Sequence, residues 1–308
     1  MPAPAQPLLA LYTCAAFPDL YEDDLRLASA FAAVGLSTRP QLWDQPEPPA
    51  PAPRADFGLL RSTWDYYLRL PEFDAFLTAH ETSGRALLNP VPLLRWNLDK
   101  RYLLDLQGAG VPIVPTTYRT TLDPAELPAL WQQHGELVVK PTISAGSWRT
   151  LRLPVGTLPP QGPPERTRGA TPGSPSPEPS GYLIQPYLPQ IEDGEWSLVF
   201  FGGEYSHAVR KRPKPGDFRV QEHYGGHTVA EQPPAHLLAQ ATEALHAVCR
   251  IPGAASPTVP CYARVDGVCD NERFLLMELE LIEPALYFRY TEGGEARLAR
   301  AVAQALAL

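Results

Sequence analysis

The sequence predicts an α/β protein built from a small N-terminal α/β domain and two α+β lobes. Three observations support this fold class. Apolar segments of strand length alternate with segments of helical spacing along most of the chain. Two hairpin signals, Gly202-Gly203 and Asp270-Asn271-Glu272, lie between apolar strands in the C-terminal third. The 308 residues are enough to bury two or three cores.

The first unit is predicted to span residues 1–88. Its strands are short apolar runs, and its helices are marked by Gly35 at one end and Pro71 at a first turn. The predicted elements are a strand at 7–13, a helix at 22–34, a proline-rich surface loop at 46–53, a strand at 56–61 and a helix at 71–81.

The second unit is predicted to span residues 89–181 and opens at Asn89-Pro90. The stretch 161–181 is rich in Pro, Gly and Ser, cannot support a core, and is expected to be mobile. The other predicted elements are a helix at 98–107 with Asn97 as its N-cap, a strand at 111–118, a helix from the Asp123–Glu126 capping box to Gly135, a strand at 136–140 and a loop of small residues at 142–147.

The third unit is predicted to span residues 182–308 and contains both hairpin signals. Its predicted elements are strands at 182–188, 196–201 and 204–211, an amphipathic helix at 236–249, a hairpin of strands at 261–268 and 274–282, and a final helix at 295–308.

Composition narrows the class of protein. The net charge of −8 argues against a nucleic-acid partner, and no apolar run approaches the length of a membrane span. The first residues lack the basic segment of a signal peptide, and the four cysteines form no metal-binding spacing. We therefore expect a cytoplasmic protein with reduced thiols. An oligomer is compatible with the sequence, but no interface signature indicates one.

The last hairpin carries four ionic side chains, Arg264, Asp266, Glu278 and Glu280. Because side chains alternate across a strand, pairing gathers all four onto one patch. Carboxylates among leucines are costly to desolvate, so such a cluster either pairs with itself or holds cations. Oxygen-rich sites of this kind suit Mg²⁺, which commonly arrives with nucleotide phosphates. An edge hairpin held by salt bridges is an equal alternative on these residues alone.

Two other segments have features of a nucleotide site. Lys140 ends an apolar strand before the loop 142–147, where small residues leave backbone N–H groups free for phosphate; a surface lysine is the alternative. Pro186 removes one donor from the strand 182–188, which leaves backbone groups for a flat heterocycle or simply kinks the strand. The run Arg210–Lys214 is either a solvated face or an anion clamp.

A substrate site is predicted where the strand 56–61 ends, because ligands of α/β sheets bind at C-terminal strand ends. Arg61 could clamp a carboxylate and Asp65 an amine; alternatively, the two pair with each other while Trp64 packs. The predicted substrate residues are Arg61, Ser62, Thr63 and Asp65 on one wall, and Arg219, Gln221, Gly225 and Gly226 on the other.

The order of these motifs resembles the ATP-grasp superfamily, in particular the branch with glutathione synthetase, the ribosomal-protein glutamate ligase and the cycloserine-forming ligase. The resemblance covers residues 89–290, and the N-terminal segment Arg61–Tyr66 also looks like the cycloserine-ligase subgroup. The matched motifs are Asn89-Pro90 with Lys100 downstream, Val138–Pro141, Gln185–Leu188, Gly194–Ser197, Arg210-Lys211, Gly225-Gly226, Arg264–Asp266 and Glu278–Glu280.

The resemblance implies the ATP-grasp fold, in which two α+β lobes enclose ATP behind a small N-terminal α/β domain. It also implies a role for each matched residue. The ATP-binding residues would be Lys100, Lys140, Ser144, Gly146, Gln185, Tyr187, Leu188, Glu195 and Lys211. Asp266, Glu278 and Glu280 would hold two Mg²⁺ ions. Arg264 and Arg210 would be catalytic, facing the γ-phosphate and the charge that develops there.

The function implied is that of an ADP-forming carboxylate–amine ligase acting on an amino acid or small peptide. ATP would convert the carboxylate into an acyl phosphate, which the amine then attacks. Two alternatives remain open. A small-molecule kinase of the same fold would release a stable phosphorylated product, and a non-catalytic module would bind ATP without forming ADP.

Overall fold

A computed structural model describes residues 6–46, 48, 51–159 and 178–308. The segment 161–181, for which mobility is predicted, lies outside the described residues up to residue 177, as do three residues of the proline-rich loop 46–53. None of the described helices combines the length and the apolar character needed to cross a bilayer.

The N-terminal part is a parallel four-stranded sheet in the order β2-β1-β3-β4. Its elements are β1 (Leu8–Thr13), α1 (Leu27–Ala32), β2 (Ser37–Leu42), β3 (Phe57–Ser62), α2 (Leu70–Ser83) and β4 (Leu87–Leu88). The predicted helix at 22–34 divides into a 3-10 turn at Glu22–Asp24 and the short α1. β2 escapes sequence prediction because Pro40 interrupts it, which is tolerated only because β2 is an edge strand.

Two short helices, α3 (Val91–Leu98) and α4 (Tyr102–Gly108), replace the single helix predicted at 98–107. The backbone is extended at Asp99, which ends α3. Asn97 is therefore inside a helix, and its predicted role as an N-cap is wrong. Its buried amide instead donates to the carbonyl of Leu279 at 2.8 Å and accepts from the N–H of Leu281 at 2.9 Å. The side chain thus fixes α3 to the C-terminal lobe.

The central lobe is an antiparallel four-stranded sheet in the order β5-β8-β6-β7. Its elements are β5 (Thr117–Arg119), α5 (Leu127–His134), β6 (Leu137–Pro141), β7 (Leu151–Leu153) and β8 (Tyr182–Pro186). Asp123 caps the 3-10 turn before α5 by accepting from the N–H of Ala125, as the capping signal predicts. Only the end of the strand predicted at 111–118 is a strand.

The C-terminal lobe is an antiparallel five-stranded sheet in the order β11-β10-β9-β12-β13. Both predicted hairpins form in it. Its elements are β9 (Glu195–Phe201), β10 (Glu204–Arg212), β11 (His227–Ala230), α6 (Ala235–His246), β12 (Tyr262–Asp270), β13 (Arg273–Glu280) and α7 (Gly294–Ala305). Further 3-10 turns lie at Tyr66–Leu68, Pro124–Glu126, Pro189–Ile191, Glu222–Tyr224, Ala247–Arg250, Pro252–Ala254 and Phe288–Tyr290.

The apolar cores show how the sheets are joined. Leu9 and Phe31 of the N-terminal part share a buried cluster with Val199, Phe288 and Val302 of the C-terminal lobe. The central sheet has a separate, smaller cluster around Leu127, Leu137, Leu153 and Ile184. The N-terminal and C-terminal parts therefore share one apolar core, and a cleft separates both parts from much of the central sheet.

Candidate active site

One cavity of about 1550 Å³ lies between the central and C-terminal sheets. Its walls come from β6 and β8 on one side and from β9, β10, β12 and β13 on the other. The loop 144–149 and the segment 218–222 form part of its rim. A volume of this size is ample for a nucleotide and a second small ligand.

The hairpin β12–β13 pairs as the alternation of its residues predicts. Arg264 lies opposite Glu280, and Asp266 lies opposite Glu278. A bulge follows Asp266 at Gly267, where an added Cβ would lie 2.5 Å from the carbonyl of Leu275. Glycine is thus required at the point where the strands shift register, directly beside the ionic patch.

Three carboxylates of this patch converge. Asp266, Glu278 and Glu280 each offer an oxygen within 4.8 Å of the others. The side chains of Glu278 and Glu280 remain 29% and 27% exposed, so both reach the cavity. A set of carboxylate oxygens at the wall of a cavity is the donor set that Mg²⁺ prefers, and these residues fit that ion.

The carboxylates are also salt-bridged. The predicted Mg²⁺ site and the predicted hairpin held by salt bridges therefore each describe part of the cluster. Arg264 donates to Asp266 at 2.8 Å and also to Glu280. Ser197 donates to the same Asp266 at 2.6 Å. Arg264 further donates to the carbonyl of Ala285 at 3.1 Å, which orients the guanidinium along the wall of the cavity.

Three buried lysines complete the charged surface of the cavity. Lys100 pairs with Glu278 at 2.9 Å, and Lys140 donates to the carbonyl of Met277 at 3.2 Å. Lys211 pairs with Glu195 at 2.5 Å and lies 3.8 Å from Asp266. Burial lowers the pKa of Lys140, whereas for Lys211 the two carboxylates outweigh burial and raise the pKa.

The carboxylates differ in how firmly they hold their charge. Burial works against ionisation of each, but the Lys100 ammonium keeps the pKa of Glu278 below its usual range, and the Arg264 guanidinium does the same for Asp266. For Glu280, burial prevails over Arg264 and raises the pKa to about 7. The cluster therefore has unused capacity for positive charge at its Glu280 side.

The loop of small residues meets the other rim of the cavity. The carbonyl of Ser144 accepts from the Lys100 ammonium at 2.5 Å, and Gly146 has a φ of +58°. The Gln221 amide donates to the hydroxyl of Ser147 at 2.7 Å. The predicted phosphate loop thus lies across the cavity and touches a residue predicted for the opposite wall.

The predicted adenine-side residues line the far end of the same cavity. Gln185, Tyr187 and Leu188 all lie there. The Gln185 amide donates to the hydroxyl of Thr116 at 2.8 Å, and the Arg152 guanidinium stacks 3.8 Å from the centre of the Tyr187 ring. The end of β8 therefore presents a flat, partly aromatic surface.

The predicted substrate residues at the end of β3 do not reach the cavity. Arg61 is 2% exposed, pairs with Asp24 at 3.0 Å and donates to the carbonyl of Pro284 at 3.1 Å. Ser62 and Thr63 are fully buried beside it. The cause is that residues 282–285 of the C-terminal lobe cover this strand end, so these side chains are not available to a ligand as predicted.

Asp65 is also engaged within the protein. It accepts from the Trp43 indole at 2.7 Å and pairs with Arg69 at 2.7 Å. The alternative Arg61–Asp65 pair is not formed either, because Arg61 pairs with Asp24 and Asp65 pairs with Arg69. Neither the predicted carboxylate clamp nor the predicted amine site is present at this strand end.

Arg210 and Lys211 lie on opposite faces of β10, so only one of them faces the carboxylates. Lys211 does, whereas Arg210 pairs with Glu231 at 3.0 Å and stacks on Trp196. Arg210 does not line the cavity, which contradicts its predicted place beside the γ-phosphate.

The predicted second substrate wall is only partly present. Arg219 and Gln221 line the cavity, but Arg219 is paired with Asp217 at 3.1 Å. Gly225 and Gly226 do not line it. Gly225 has a φ of +89°, and a Cβ on Gly226 would lie 2.1 Å from the carbonyl of Val220. The glycines are therefore required by a tight turn rather than placed against a ligand.

Sequence reasoning missed Glu283, a carboxylate at the cavity wall. It is 8% exposed, and burial raises its pKa to about 8. It lies three residues beyond Glu280, just past the end of β13, so strand alternation gave no reason to group it with the hairpin. The one available signal was a charged residue between Ile282 and Pro284 in an otherwise apolar segment.

Comparisons with known proteins identify relatives of this chain. Residues 9–89 match the family described as "D-cycloserine synthetase DcsG, N-terminal domain". The chain is 32% identical over 309 residues to the cycloserine biosynthesis protein DcsG of Streptomyces lavendulae, covering 97% of this chain and 99% of that protein.

Solved structures give the same result for the fold. A crystal structure of the D-cycloserine synthetase DcsG superposes with a TM-score of 0.77 at 27% identity and covers 97% of this chain and 99% of that one. The D-alanine–D-alanine ligase of Bacillus anthracis gives 0.59 at 14% identity, covering 97% and 96% of the two chains. The RimK-domain ATP-grasp protein of Sphaerobacter thermophilus gives 0.61 at 15%, covering 97% and 98%.

Proposed function

The chain belongs to the family of the cycloserine biosynthesis protein DcsG, and from this premise we propose that it joins the carboxylate of an amino acid to an amine with conversion of ATP to ADP. Membership confirms the predicted ATP-grasp fold with its separate N-terminal domain and the ligase class. The use of ATP and Mg²⁺ is supported by ligases of the same fold whose solved structures hold ATP, or Mg²⁺ and ADP. The number of ions and the role of each side chain are part of the proposal.

The observation that carries the proposal is the convergence of opposite charges across one cavity. Asp266, Glu278 and Glu280 bring their oxygens within 4.8 Å of one another, and buried Lys100 and Lys140 line the same cavity. Carboxylates for a divalent ion beside lysines for phosphate form a site for a metal–nucleotide complex rather than for either charge alone.

The residues divide the work of binding ATP. We assign Lys100, Lys140 and the backbone of the loop around Gly146 to the phosphates, and the end of β8 to the adenine. Asp266, Glu278 and Glu280 would hold Mg²⁺, which would supply positive charge against the phosphates. We propose two ions, because three carboxylates supply more oxygens than one six-coordinate ion shares with a nucleotide.

The chemical step follows from the poor leaving ability of a carboxylate oxygen. An oxygen of the substrate carboxylate attacks the γ-phosphorus, the bond to the β-phosphate oxygen breaks, and ADP leaves. The amine then attacks the acyl carbon, phosphate leaves with the bonding electrons, and the amine loses its proton. Arg264, held at the cavity wall, is placed to stabilise charge on the transferred group, and the closed loop excludes water.

The relative suggests the first substrates to test. DcsG is named for D-cycloserine, a ring closed by a bond between a carbonyl carbon and a nitrogen. Opening that bond with water gives a serine whose side-chain oxygen carries an amino group, O-amino-D-serine. We propose substrates of this class for the present chain, namely a small amino acid with a nucleophilic nitrogen of its own or a second amine.

The decisive experiment measures ADP and phosphate released with a matrix of amino acids, dipeptides and O-amino-D-serine in the presence of Mg²⁺. The proposal predicts ADP and phosphate in equal amounts together with an amide, linear or cyclic, identified by mass. Accumulation of a phosphorylated acid without amide would favour the kinase. ATP binding with no ADP across the whole matrix would favour a regulatory module. A cytoplasmic location, where ATP is plentiful, is part of the proposal.

A further inference from the structure

Glu283 stands apart from the other carboxylates of the cavity because no cation among the described residues forms an ion pair with it. Lys100 pairs with Glu278, Lys211 pairs with Glu195, and Arg264 pairs with Asp266 and Glu280. No ion pair to Glu283 is formed within the parts of the chain that the structure describes, although its side chain is nine-tenths buried.

Its polar contacts come from the N-terminal part of the molecule. Hydrogen bonding from the Tyr66 hydroxyl lowers the pKa of the Glu283 carboxylate, and the Trp64 indole donates to the Glu283 backbone carbonyl at 2.9 Å. Tyr66 is 4% exposed, and burial together with the nearby carboxylate keeps its pKa well above the usual value, so it remains a donor. Both aromatic residues also line the cavity.

Burying the Glu283 carboxylate without an ion-pair partner lowers the stability of the ligand-free protein. A buried charge without an ion-pair partner is either neutralised by a proton or compensated by an external cation, and burial together with the nearby Glu280 raises the pKa of Glu283 to about 8. The residue is not a member of the metal-binding group, whose oxygens are those of Asp266, Glu278 and Glu280. A cation other than the metal is therefore the natural complement.

We propose that Glu283, oriented by Tyr66, binds the α-ammonium group of the amino acid substrate and thereby determines that the substrate carries one. The inference rests on the proposed function for the identity of the ligand, since an amino acid is the substrate that brings an ammonium into this cavity. Glu283 lies at the end of the hairpin that holds the metal ligands. An ammonium bound there leaves the substrate carboxylate free to turn toward the phosphates.

The test compares two acids that differ only in the α-amino group. O-amino-D-serine has a carboxylate, an aminooxy nitrogen and an α-ammonium; 3-aminooxypropionate lacks only the last. The parent, Glu283→Gln, Tyr66→Phe and the exposed control Glu204→Gln are assayed for ADP release with both acids. Stabilisation by amino acids against heat, with Mg²⁺ and a non-hydrolysable ATP analogue, provides a second readout that does not require turnover.

We expect Glu283→Gln to raise the KM for O-amino-D-serine about ten- to a hundredfold, with a smaller change in kcat, since a hydrogen bond to a charged group is lost. Tyr66→Phe should show a smaller rise. For 3-aminooxypropionate, the parent and Glu283→Gln should have the same KM. Glu204→Gln should match the parent throughout. An equal KM rise for both acids would overturn the inference and assign Glu283 a structural role.

The two proposals fail in different ways. If the parent releases no ADP with any acid but amino acids stabilise it and not Glu283→Gln, the ammonium site stands and the ligase reaction does not. If the parent is an active ligase and Glu283→Gln handles amino acids as well as the parent does, the ammonium site is wrong and the ligase reaction stands. If no amino acid stabilises the parent and none is turned over, the ammonium site is also wrong.

Discussion

Two buried arginine–carboxylate pairs in this molecule have nearly the same local geometry and opposite surroundings. Arg61 pairs with Asp24 at 3.0 Å, and Arg264 pairs with Asp266 at 2.8 Å; all four side chains are less than 8% exposed. The first pair is closed over by the carbonyl of Pro284, whereas the second opens onto the cavity and is joined by further carboxylates. An ionic motif at a strand end becomes a site only where the fold leaves space and unmatched charge beside it.

The largest effect should come from breaking the sealed pair. Arg61→Met leaves the Asp24 carboxylate buried without its cation, which should lower the free energy of unfolding by about 3–5 kcal/mol in urea titrations. The double variant with Asp24→Leu should recover most of that loss, because replacing both partners by apolar groups removes the unpaired charge.

One outcome would contradict this explanation of the two arginine–carboxylate pairs. If Arg61→Met unfolds like the parent but raises the KM for the acid substrate, the end of β3 is a ligand site after all. The surroundings of the two pairs would then not be what separates them.

Substituting a carboxylate of the open cluster should reduce activity rather than stability. Glu278→Gln keeps the shape of a side chain that is 29% exposed but removes one proposed metal ligand and the partner of Lys100. ADP release should fall on the order of a hundredfold, while the urea midpoint should change little. Glu204→Gln is the matched control. Equal losses in the two variants, or unfolding of Glu278→Gln, would place Glu278 in the scaffold.

The unmatched charge in the open region should be visible as a dependence of stability on pH. Burial raises the pKa of Glu283 to about 8, against about 4.3 in an unfolded chain. Between these values the native state holds a proton that the unfolded state has released, so the free energy of unfolding should fall as pH rises from 5 to 8.

The other groups that face Glu283 are Tyr66, Lys100, Glu278 and Glu280. All four are present in both the parent and the Glu283→Gln variant. Glu283→Gln should therefore flatten the decline of the ligand-free protein, by up to roughly 4 kcal/mol over this range. Urea titrations at several pH values measure it. A decline as steep in Glu283→Gln as in the parent would show that another group causes it.

The smallest effect should come from Arg210, which lies on the face of β10 away from the cluster. Its pair with Glu231 is partly exposed, so Arg210→Gln should cost less than about 1 kcal/mol and should leave ADP release near the parent's. Lys211→Met, on the facing side of the same strand, should lose most activity per folded molecule. A large loss of activity in Arg210→Gln would restore its predicted catalytic role.

These regions also show what the sequence can and cannot predict. The β12–β13 patch follows from alternation and a turn signal within 20 residues, so local rules suffice to place Arg264, Asp266, Glu278 and Glu280 together. The choice between Arg210 and Lys211 needed the register of β10 against its neighbours, which the sequence leaves open. The fold class was predictable because both hairpins and most strands carry clear patterns.

The errors arise from contacts between units that are distant in the chain. The burial of Arg61 depends on residues 282–285, more than 200 positions away, and on Asp24 in a turn that reads as part of a helix. Asn97 pairs with the far end of β13 in the same way. Glu283 was missed because its significance comes from the cavity around it. Resemblance to a known family supplied the nucleotide roles, which residue patterns alone could not assign.

A measurement of the stability shift that ATP causes, with and without Mg²⁺, would show whether Asp266, Glu278 and Glu280 hold a metal ion on which ATP binding depends. At about a hundred times its dissociation constant, ATP should add roughly 2.7 kcal/mol to the parent in the presence of Mg²⁺. The gain should be small without the ion and small in Glu278→Gln under either condition. If ATP stabilises the parent equally without Mg²⁺, or if the Glu278→Gln variant responds to the ion as the parent does, these carboxylates do not hold the ion.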